Sequence, residues 1–488
     1  MRTQSKIFFS PLPSALLHLT CIFCLLSAAA FSQPITFEKY YDFGATEEGY
    51  SVQQTKDGGY IIAGQQRIGI GFSNILLQKV DSIGQTQWVK FIGNSYDNQA
   101  WAVKQTSEGG YIVTGYTTNA SYDNMIYLIK TDSNGDTTWT KKLSTFPPFQ
   151  MYGKDVIQTL DGGFLVTCNG SYYSTDTAQI IYLIKTKVNG DTLWTKKFKR
   201  LSGVWGGSLK QTTDGGYVIA GNVVLTTNPS AKFSVYLIKT DTNGDTLWTK
   251  IIADTVTNNV RAYSVQQTSD GGYFMTGAVY YPAILSTDVY LVKTNASGDT
   301  LWTRKIGGAG DEGGVGQQTF DGGYIIAGST TSFGSGSTDA YLLKTDSGGN
   351  KVWEKAFGSV SQDQGNSIQQ TTDGGFVIAG ITAGDVYLIK TDSDGVVMTG
   401  VDELESKRLY LKIYPNPFFS YANVEMEKEG AAPGYIVLYD AIGKEVKRIN
   451  VENSSFIICR DGLPDGLYFL NVYNSSDQII ARSKIIIQ

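Results

Sequence analysis

Seven copies of one turn-and-strand unit, a glycine-rich and proline-poor composition, and a change of texture after residue 395 predict an all-β chain. The expected architecture is a seven-bladed β-propeller closed by the N-terminal strand, followed by a small Ig-like β-sandwich. The unit is plainest at Asp321-Gly322-Gly323-Tyr324-Ile325-Ile326-Ala327-Gly328. Its glycine doublets begin at Gly58, Gly109, Gly162, Gly215, Gly271, Gly322 and Gly374, 51 to 56 residues apart. Asp precedes six of them and Glu108 the other, and Tyr or Phe always follows. Asp-Gly-Gly supplies positive φ cheaply at a hairpin corner, and the aromatic opens a strand.

The first 32 residues read as a secretory signal. Arg2 and Lys6 form a basic start, 15–30 is largely apolar, and Ala30-Phe31-Ser32 offers a small-x-small cleavage site. No later segment is apolar enough to span a bilayer as a helix, so no membrane span is expected after cleavage. Without Arg2 and Lys6, 38 basic residues face 45 acidic ones, a surface that argues against nucleic acid as a partner. Cleavage also removes His18, the only histidine, with Cys21 and Cys24. Cys168 and Cys459 fall in different predicted domains, so no disulfide framework is expected. A chain without histidine excludes Ser-His-Asp and Cys-His catalysis.

Residues 33–395 hold the propeller. A second recurring piece, Tyr127-Leu128-Ile129-Lys130-Thr131-Asp132 followed by Gly135-Asp136-Thr137-Thr138-Trp139, supplies two further strands, so each period contains four. The seventh copy stops near Gly395 with no Trp strand after it. Phe37-Glu38-Lys39 matches the missing piece (compare Trp353-Glu354-Lys355), so the N-terminal strand is expected to complete the last blade and leave no open sheet edge. The Gln-Thr pairs that begin at Gln54, Gln105, Gln158, Gln211, Gln267, Gln318 and Gln370 read as links to a neighbouring blade's backbone, the alternative being a ring of amides on the axis. The Trp series reads as packing between blades.

Asp132–Asp136 and Asp241–Asp245 place oxygen side chains at alternate positions, as calcium loops do, but their glycine sits fourth rather than sixth. Hairpin chemistry accounts for them, and neither a metal nor a cofactor is expected.

Binding is sought where the copies disagree. The variable connections carry aromatics, among them Tyr116, Tyr152, Trp205 and Tyr280. The residue before each Ser-Val-Gln-like run varies as Tyr50, Trp101, Lys154, Gly207, Tyr263, Gly314 and Asn366, which should ring the mouth of the axis. Tyr50, Trp101, Lys154, Trp205, Tyr263 and Asn366 are the candidate ligand-binding residues, for a glycan or protein ligand. No catalytic residue is assigned. The alternative is a carboxylate-dependent extracellular polysaccharide hydrolase or lyase, for which Glu47, Glu48, Asp97, Asp311, Glu312 and Asp363 would have to converge on the axis.

Residues 396–409 form a polar linker. From 410 to 488, strand-like runs at 410–413, 422–426, 435–439, 455–458, 466–473 and 479–487 predict the sandwich. Here Tyr414-Pro415-Asn416-Pro417-Phe418, then 437–446 (Val-Leu-Tyr-Asp-Ala-Ile-Gly-Lys-Glu-Val), Leu463-Pro464-Asp465-Gly466-Leu467-Tyr468, and the terminal Lys484-Ile485-Ile486-Ile487-Gln488 follow in order. This module resembles the C-terminal sorting domain of the type IX secretion system of Bacteroidetes. The resemblance implies that Tyr414, Pro415, Asn416, Pro417, Asp465 and Gly466 belong to a sorting motif, that the type IX machinery is the partner, and that the protein is secreted or held at the cell surface.

Overall fold

A computed structural model describes residues 35–93, 96–144, 149–172, 179–200, 203–226, 232–254, 259–397, 411–426, 433–440, 444–451, 453, 455–474 and 479–488. The predicted signal segment and most of the predicted linker lie outside these residues. Every regular element among them is a strand.

From Phe37 to Thr391 the strands form seven four-stranded antiparallel sheets, six of them in simple chain order. The first sheet, for example, runs Thr46–Gln54, Tyr60–Gly69, Phe72–Val80, Thr86–Ile92. The seventh takes Asp363–Gln370, Phe376–Thr382 and Asp385–Thr391 and is completed by β1 (Phe37–Tyr41). Phe37 pairs with Lys390 as Trp353 pairs with Lys344 one sheet earlier, so β1 stands in the register of the missing Trp strand.

Each Asp-Gly-Gly corner is held by the same group of atoms. At the sixth, Gly322 has φ 81° and donates to Thr319 O (2.9 Å), while Thr319 N donates to Gly323 O (2.9 Å). The second glycine answers a different need: a Cβ on Gly323 would collide with the carbonyl of Thr345 on the third strand. Asp321 accepts from Gly323 N at 3.0 Å and pairs with Lys344 Nζ at 2.9 Å. Lys344 is buried and also donates to Thr345 O at 2.9 Å. All seven copies make this Lys–acid pair, from 2.8 Å at Lys185–Asp161 to 4.0 Å at Lys130–Glu108. The lysine recurs in every repeat, yet only the fold joins it to the corner.

Burial opposes ionisation of Asp161, Asp214 and Asp270, but the lysine, a threonine hydroxyl and a glycine N–H together outweigh it and bring each carboxyl down to about 2 from 3.8. A depressed carboxylate pKa stabilises the fold at pH above the ordinary value and stops doing so as pH falls through the folded one. The unfolding midpoint is therefore expected to drop between pH 4 and 2, and Asp214→Asn to flatten that fall; equal slopes for the two proteins would refute it. The carboxylates are half-exposed, so each contributes modestly.

Neighbouring sheets share apolar clusters, and the seventh shares one with the first: Phe37, Val377, Val386 and Leu388 pack with Val52, Tyr60, Ile62 and Leu76. Among the described residues, six of the seven Gln-Thr glutamines bridge sheets as expected, Gln211 being the exception. Gln105 accepts from Lys56 N (2.9 Å), Gln370 from Phe320 N (2.8 Å), and Gln54 from Thr372 N (2.9 Å), the last joining first and seventh sheets. Each Trp ring lies against the turn glycine of the next sheet, Trp88 on Gly135 and Trp353 on Gly395, with Phe37 against Gly84 in the same role.

The tail has two sheets on one core. Leu411–Tyr414, Tyr421–Met426 and Ser455–Cys459 form one; Glu445–Asn450, Pro433–Tyr439, Gly466–Asn474 and Ile479–Ile487 form the other. Ala422, Val424 and Ile458 from the first meet Ile436, Leu470 and Ile485 from the second. The strand Glu445–Asn450 is absent from the sequence reading because its residues, half-buried or exposed, carry no clean alternation.

Candidate functional site

The first strands of all seven sheets line one cavity of roughly 660 Å³. Its walls owe their shape to a repeated irregularity. In six of the seven first strands the ladder slips by one residue, and the extra residues are Tyr50, Trp101, Lys154, Gly207, Tyr263 and Asn366. A bulge frees one residue from pairing and re-aims its side chain. The sixth sheet has no bulge: Gly314 pairs with Gly328 as Gly49 pairs with Gly64. Gly314 thus stands in the place of Gly49, and the sixth sheet has no counterpart of Tyr50. The sequence could not show this, because a one-residue deletion in a glycine-rich strand leaves the flanking run intact.

Below the bulged residues lie two further tiers. Ser51, Asp155, Ser208, Ser264 and Ser367 line the cavity and serve the adjoining sheet, accepting from Val103 N, Leu209 N, Val265 N, Gly316 N and Val52 N at 3.0–3.2 Å. The next tier is Gln53, Lys104, Ile157, Lys210, Gln266, Gln317 and Gln369. These stand one residue before the Gln-Thr series, so the residues facing the cavity are not the glutamines that the repeat marks most clearly. Period-two alternation carried that signal in the sequence.

All six candidate ligand residues border the cavity. Trp101 stacks on Tyr152 with centroids 5.8 Å apart and planes 6° apart, and meets Tyr116 edge-on at 6.0 Å. Its Nε1–H donates to Gln99 Oε1 at 3.1 Å. Lys154 Nζ lies 2.9 Å from the Trp101 ring centroid, a cation–π contact. Tyr50 is tied to Glu48 and accepts from Gln65 Nε2 at 2.9 Å. Trp205 meets Phe233 edge-on at 4.9 Å, Tyr263 is 44% exposed, and Asn366 Nδ2 donates to Gly49 O at 2.9 Å. Tyr116, Tyr152, Trp205 and Tyr280, expected in loops, lie in strands that run further than their sequence pattern suggests.

Burial lowers Lys154 to about 7; burial, then the nearby Lys210 charge, lowers Lys104 to about 8 against the pull of Asp155. The carboxylates proposed to converge do not do so. Glu47, Glu312 and Asp363 are buried and cap their own loops, Glu312 accepting from Gly308 N (2.9 Å) and Thr330 Oγ1 (2.8 Å), Asp363 from Ser359 N (2.8 Å). Glu48 pairs with Arg67 at 3.4 Å, Asp97 accepts from Tyr116 OH at 2.6 Å, and Asp311 from Thr287 Oγ1 at 2.8 Å. Backbone N–H groups in loops need acceptors, and Glu47, Glu312 and Asp363 supply them, while Glu48, Asp97 and Asp311 answer neighbouring side chains. Among the described residues, Asp155 is the one carboxylate on the cavity wall. Away from the cavity, carboxylate oxygens of Asp42, Glu47 and Asp385 lie within 4.8 Å of one another, with Glu47 accepting from Gln66 Nε2 at 3.0 Å.

The tail residues fasten the chain end. Asn416 donates to Lys484 O at 3.0 Å and accepts from Ile486 N at 2.9 Å. Phe418 is buried, donating to Ile486 O and accepting from Gln488 N, both at 3.0 Å. Asp465 pairs with Arg460 at 2.6 Å, and Arg460 also donates to Gln488 O at 2.9 Å. Tyr414 and Asn416 each precede a cis proline, Pro415 and Pro417, and Gly466 opens a strand of the four-stranded sheet.

Four-stranded sheets that repeat around a cavity lined by their first strands define a β-propeller. Residues 412–488 match the family described as the secretion system C-terminal sorting domain. That tail implies recognition by type IX secretion machinery, and the protein is secreted or displayed on the cell surface. Among the described residues no helix is long and apolar enough to cross a membrane. No curated protein sequence matches the chain at a significant level.

Solved structures resemble it weakly. A puromycin hydrolase S511A mutant complexed with PGG has a TM-score of 0.48 at 10% identity, over 79% of this chain and 61% of that one. The chain thus spans less than two thirds of that protein. The propeller domain of the Pyrococcus furiosus Trilobed protease has a TM-score of 0.39 at 13% identity, over 75% and 100%. A Penicillium chrysogenum α-L-arabinanase complexed with arabinobiose has 0.40 at 8%, over 74% and 98%.

Proposed function

We propose that this is a non-catalytic binding protein, exported by type IX secretion from a bacterium of the Bacteroidetes group. In this reading residues 1–32 are a signal peptide, and 33–395 form a seven-bladed propeller closed by β1. A linker over 396–409 leads to an Ig-like sorting domain over 410–488. The ligand, a glycan or a protein, binds in the cavity among Tyr50, Trp101, Lys154, Trp205, Tyr263 and Asn366.

One observation carries the reading. The repeat holds its corners, bridging glutamines and Trp contacts nearly constant, yet the bulged residues that border the cavity are Tyr, Trp, Lys, Gly, Tyr and Asn. A scaffold role would be met by one residue type in every sheet; divergence that is widest at residues free of ladder duty suits a binding surface. Against the polysaccharide hydrolase or lyase alternative, among the described residues the wall carries Asp155 alone as a carboxylate, and it already accepts two backbone N–H groups, where glycoside hydrolysis calls for a pair.

The test is a glycan-array screen of the chain from Gln33, with polysaccharide hydrolysis assayed in parallel. Binding without turnover is expected, weakened at least tenfold by Trp101→Ala. Turnover would overturn the non-catalytic reading, and binding indifferent to both Trp101→Ala and Tyr263→Ala would overturn the site.

A further inference from the structure

We propose that the cavity takes an anionic saccharide, its acidic group held on the wall built by the second, third and fourth sheets. The inference rests on the cavity being the ligand site.

The chain as a whole is acidic, with a net charge of −5, but the cavity wall carries Lys104, Lys154, Lys210 and Arg261 against Asp155. Asp155 is already occupied. It accepts from Val156 N at 2.9 Å and Leu209 N at 3.0 Å, the second bond being the inter-sheet role that serine fills elsewhere, and it lies 3.7 Å from Lys210. Among the described residues no carboxylate lies within ion-pair distance of Lys104 or Lys154; Lys154 rests on the Trp101 ring.

These lysines do not serve the repeat. At the level of Lys104 and Lys210, Gln53, Gln266 and Gln369 accept from Gln105 N, Gln318 N and Gln54 N of the next sheet at 2.7–2.8 Å. An ammonium has no acceptor, so the second and fourth sheets forgo that bond. Half-buried cations lacking a counterion resist charging, which agrees with the depressed pKa values of Lys104 and Lys154 and would be relieved by an anion. The facing wall is neutral, with Gln53, Gln317, Gln369 and Asn366, amides that can both donate to and accept from hydroxyls. Amides opposite cations, with aromatic rings at the rim, suit a hydroxylated ring bearing a carboxylate or sulfate better than an extended acidic peptide.

The test uses titration calorimetry on the full chain with a panel of uronate and sulfated oligosaccharides, the methyl esters of the uronates, and tetraglutamate. A free acid should bind at least tenfold more tightly than its ester, and K104Q/K210Q should lose at least tenfold in affinity without lowering the unfolding midpoint, since glutamine is the residue other sheets use there. Affinity should also fall as pH rises from 6 to 9. The charged groups facing the ligand are Lys104, Lys154, Lys210, Arg261 and Asp155, with Tyr50, Tyr152 and Tyr263 nearby, and of these the two depressed lysines lose protons in that window. Equal binding of ester and acid would overturn the anionic inference and leave the binding function standing. Tetraglutamate bound with no saccharide would overturn the saccharide. Silence across this panel with a neutral glycan bound on the array would overturn the inference alone; silence in both would overturn the glycan reading as well.

Discussion

Phe37→Ala should lower the free energy of unfolding by about 3–5 kcal/mol, the usual cost of deleting a buried phenylalanine ring. Phe37 is 2% exposed, meets Tyr60 edge-on at 6.1 Å, and lies against Gly84 of the first sheet. It is therefore a packing residue of the junction between seventh and first sheets as well as the opening residue of β1. Tyr40 on the same strand is 72% exposed and pairs with Tyr387, so Tyr40→Ala is the control and should change stability by less than about 1 kcal/mol. Urea denaturation of the two variants decides the matter. Equal midpoints would mean that β1 does not lock the seven sheets together.

Gly328→Ala should cost on the order of 3 kcal/mol, at the upper end for overpacking, although alanine is a small and common residue. Gly328 lies opposite Gly314, and a Cβ there would collide with the carbonyl of Gly313 on the paired strand. Backbone cannot give way as a flexible side chain can, so the two strands would have to separate. The sixth sheet has no bulge to absorb the change. Gly322→Ala meets open space and bears only the strain of φ 81°, about 1–2 kcal/mol. A smaller loss for Gly328→Ala than for Gly322→Ala in thermal melts would sink this account.

The corners, the four-strand period and the place of β1 were legible because each depends on local chemistry repeated seven times. Asp-Gly-Gly permits a hairpin in any context, and the match of Phe37 to Trp353 needs only alignment of the chain with itself. The candidate cavity residues were legible for a related reason: they are where self-alignment fails. The Lys–acid pairs were not, since Lys344 lies 23 residues from Asp321 and nothing between them sets their approach. The carboxylates misled because an acid beside a loop looks alike whether it faces a ligand or caps a backbone amide.

The sequence by itself determined the repeat, its strand count and the turn geometry, which rest on the conformational limits of Gly, Pro and β-branched residues and on spacing along the chain; the export tail was legible only through the resemblance of its motifs to a known family. Only the tertiary structure showed that a bulge aims the candidate cavity residues, that the sixth sheet lacks one, and which tier of each first strand lies below them, because a bulge shifts the register by one and a one-residue shift exchanges the two faces of a strand. It also brought Lys104, Lys154 and Lys210 from three separate repeats onto one wall. Each is an ordinary lysine along the chain; together, half-buried and facing one carboxylate already bound by backbone, they make a cationic site inside an acidic protein.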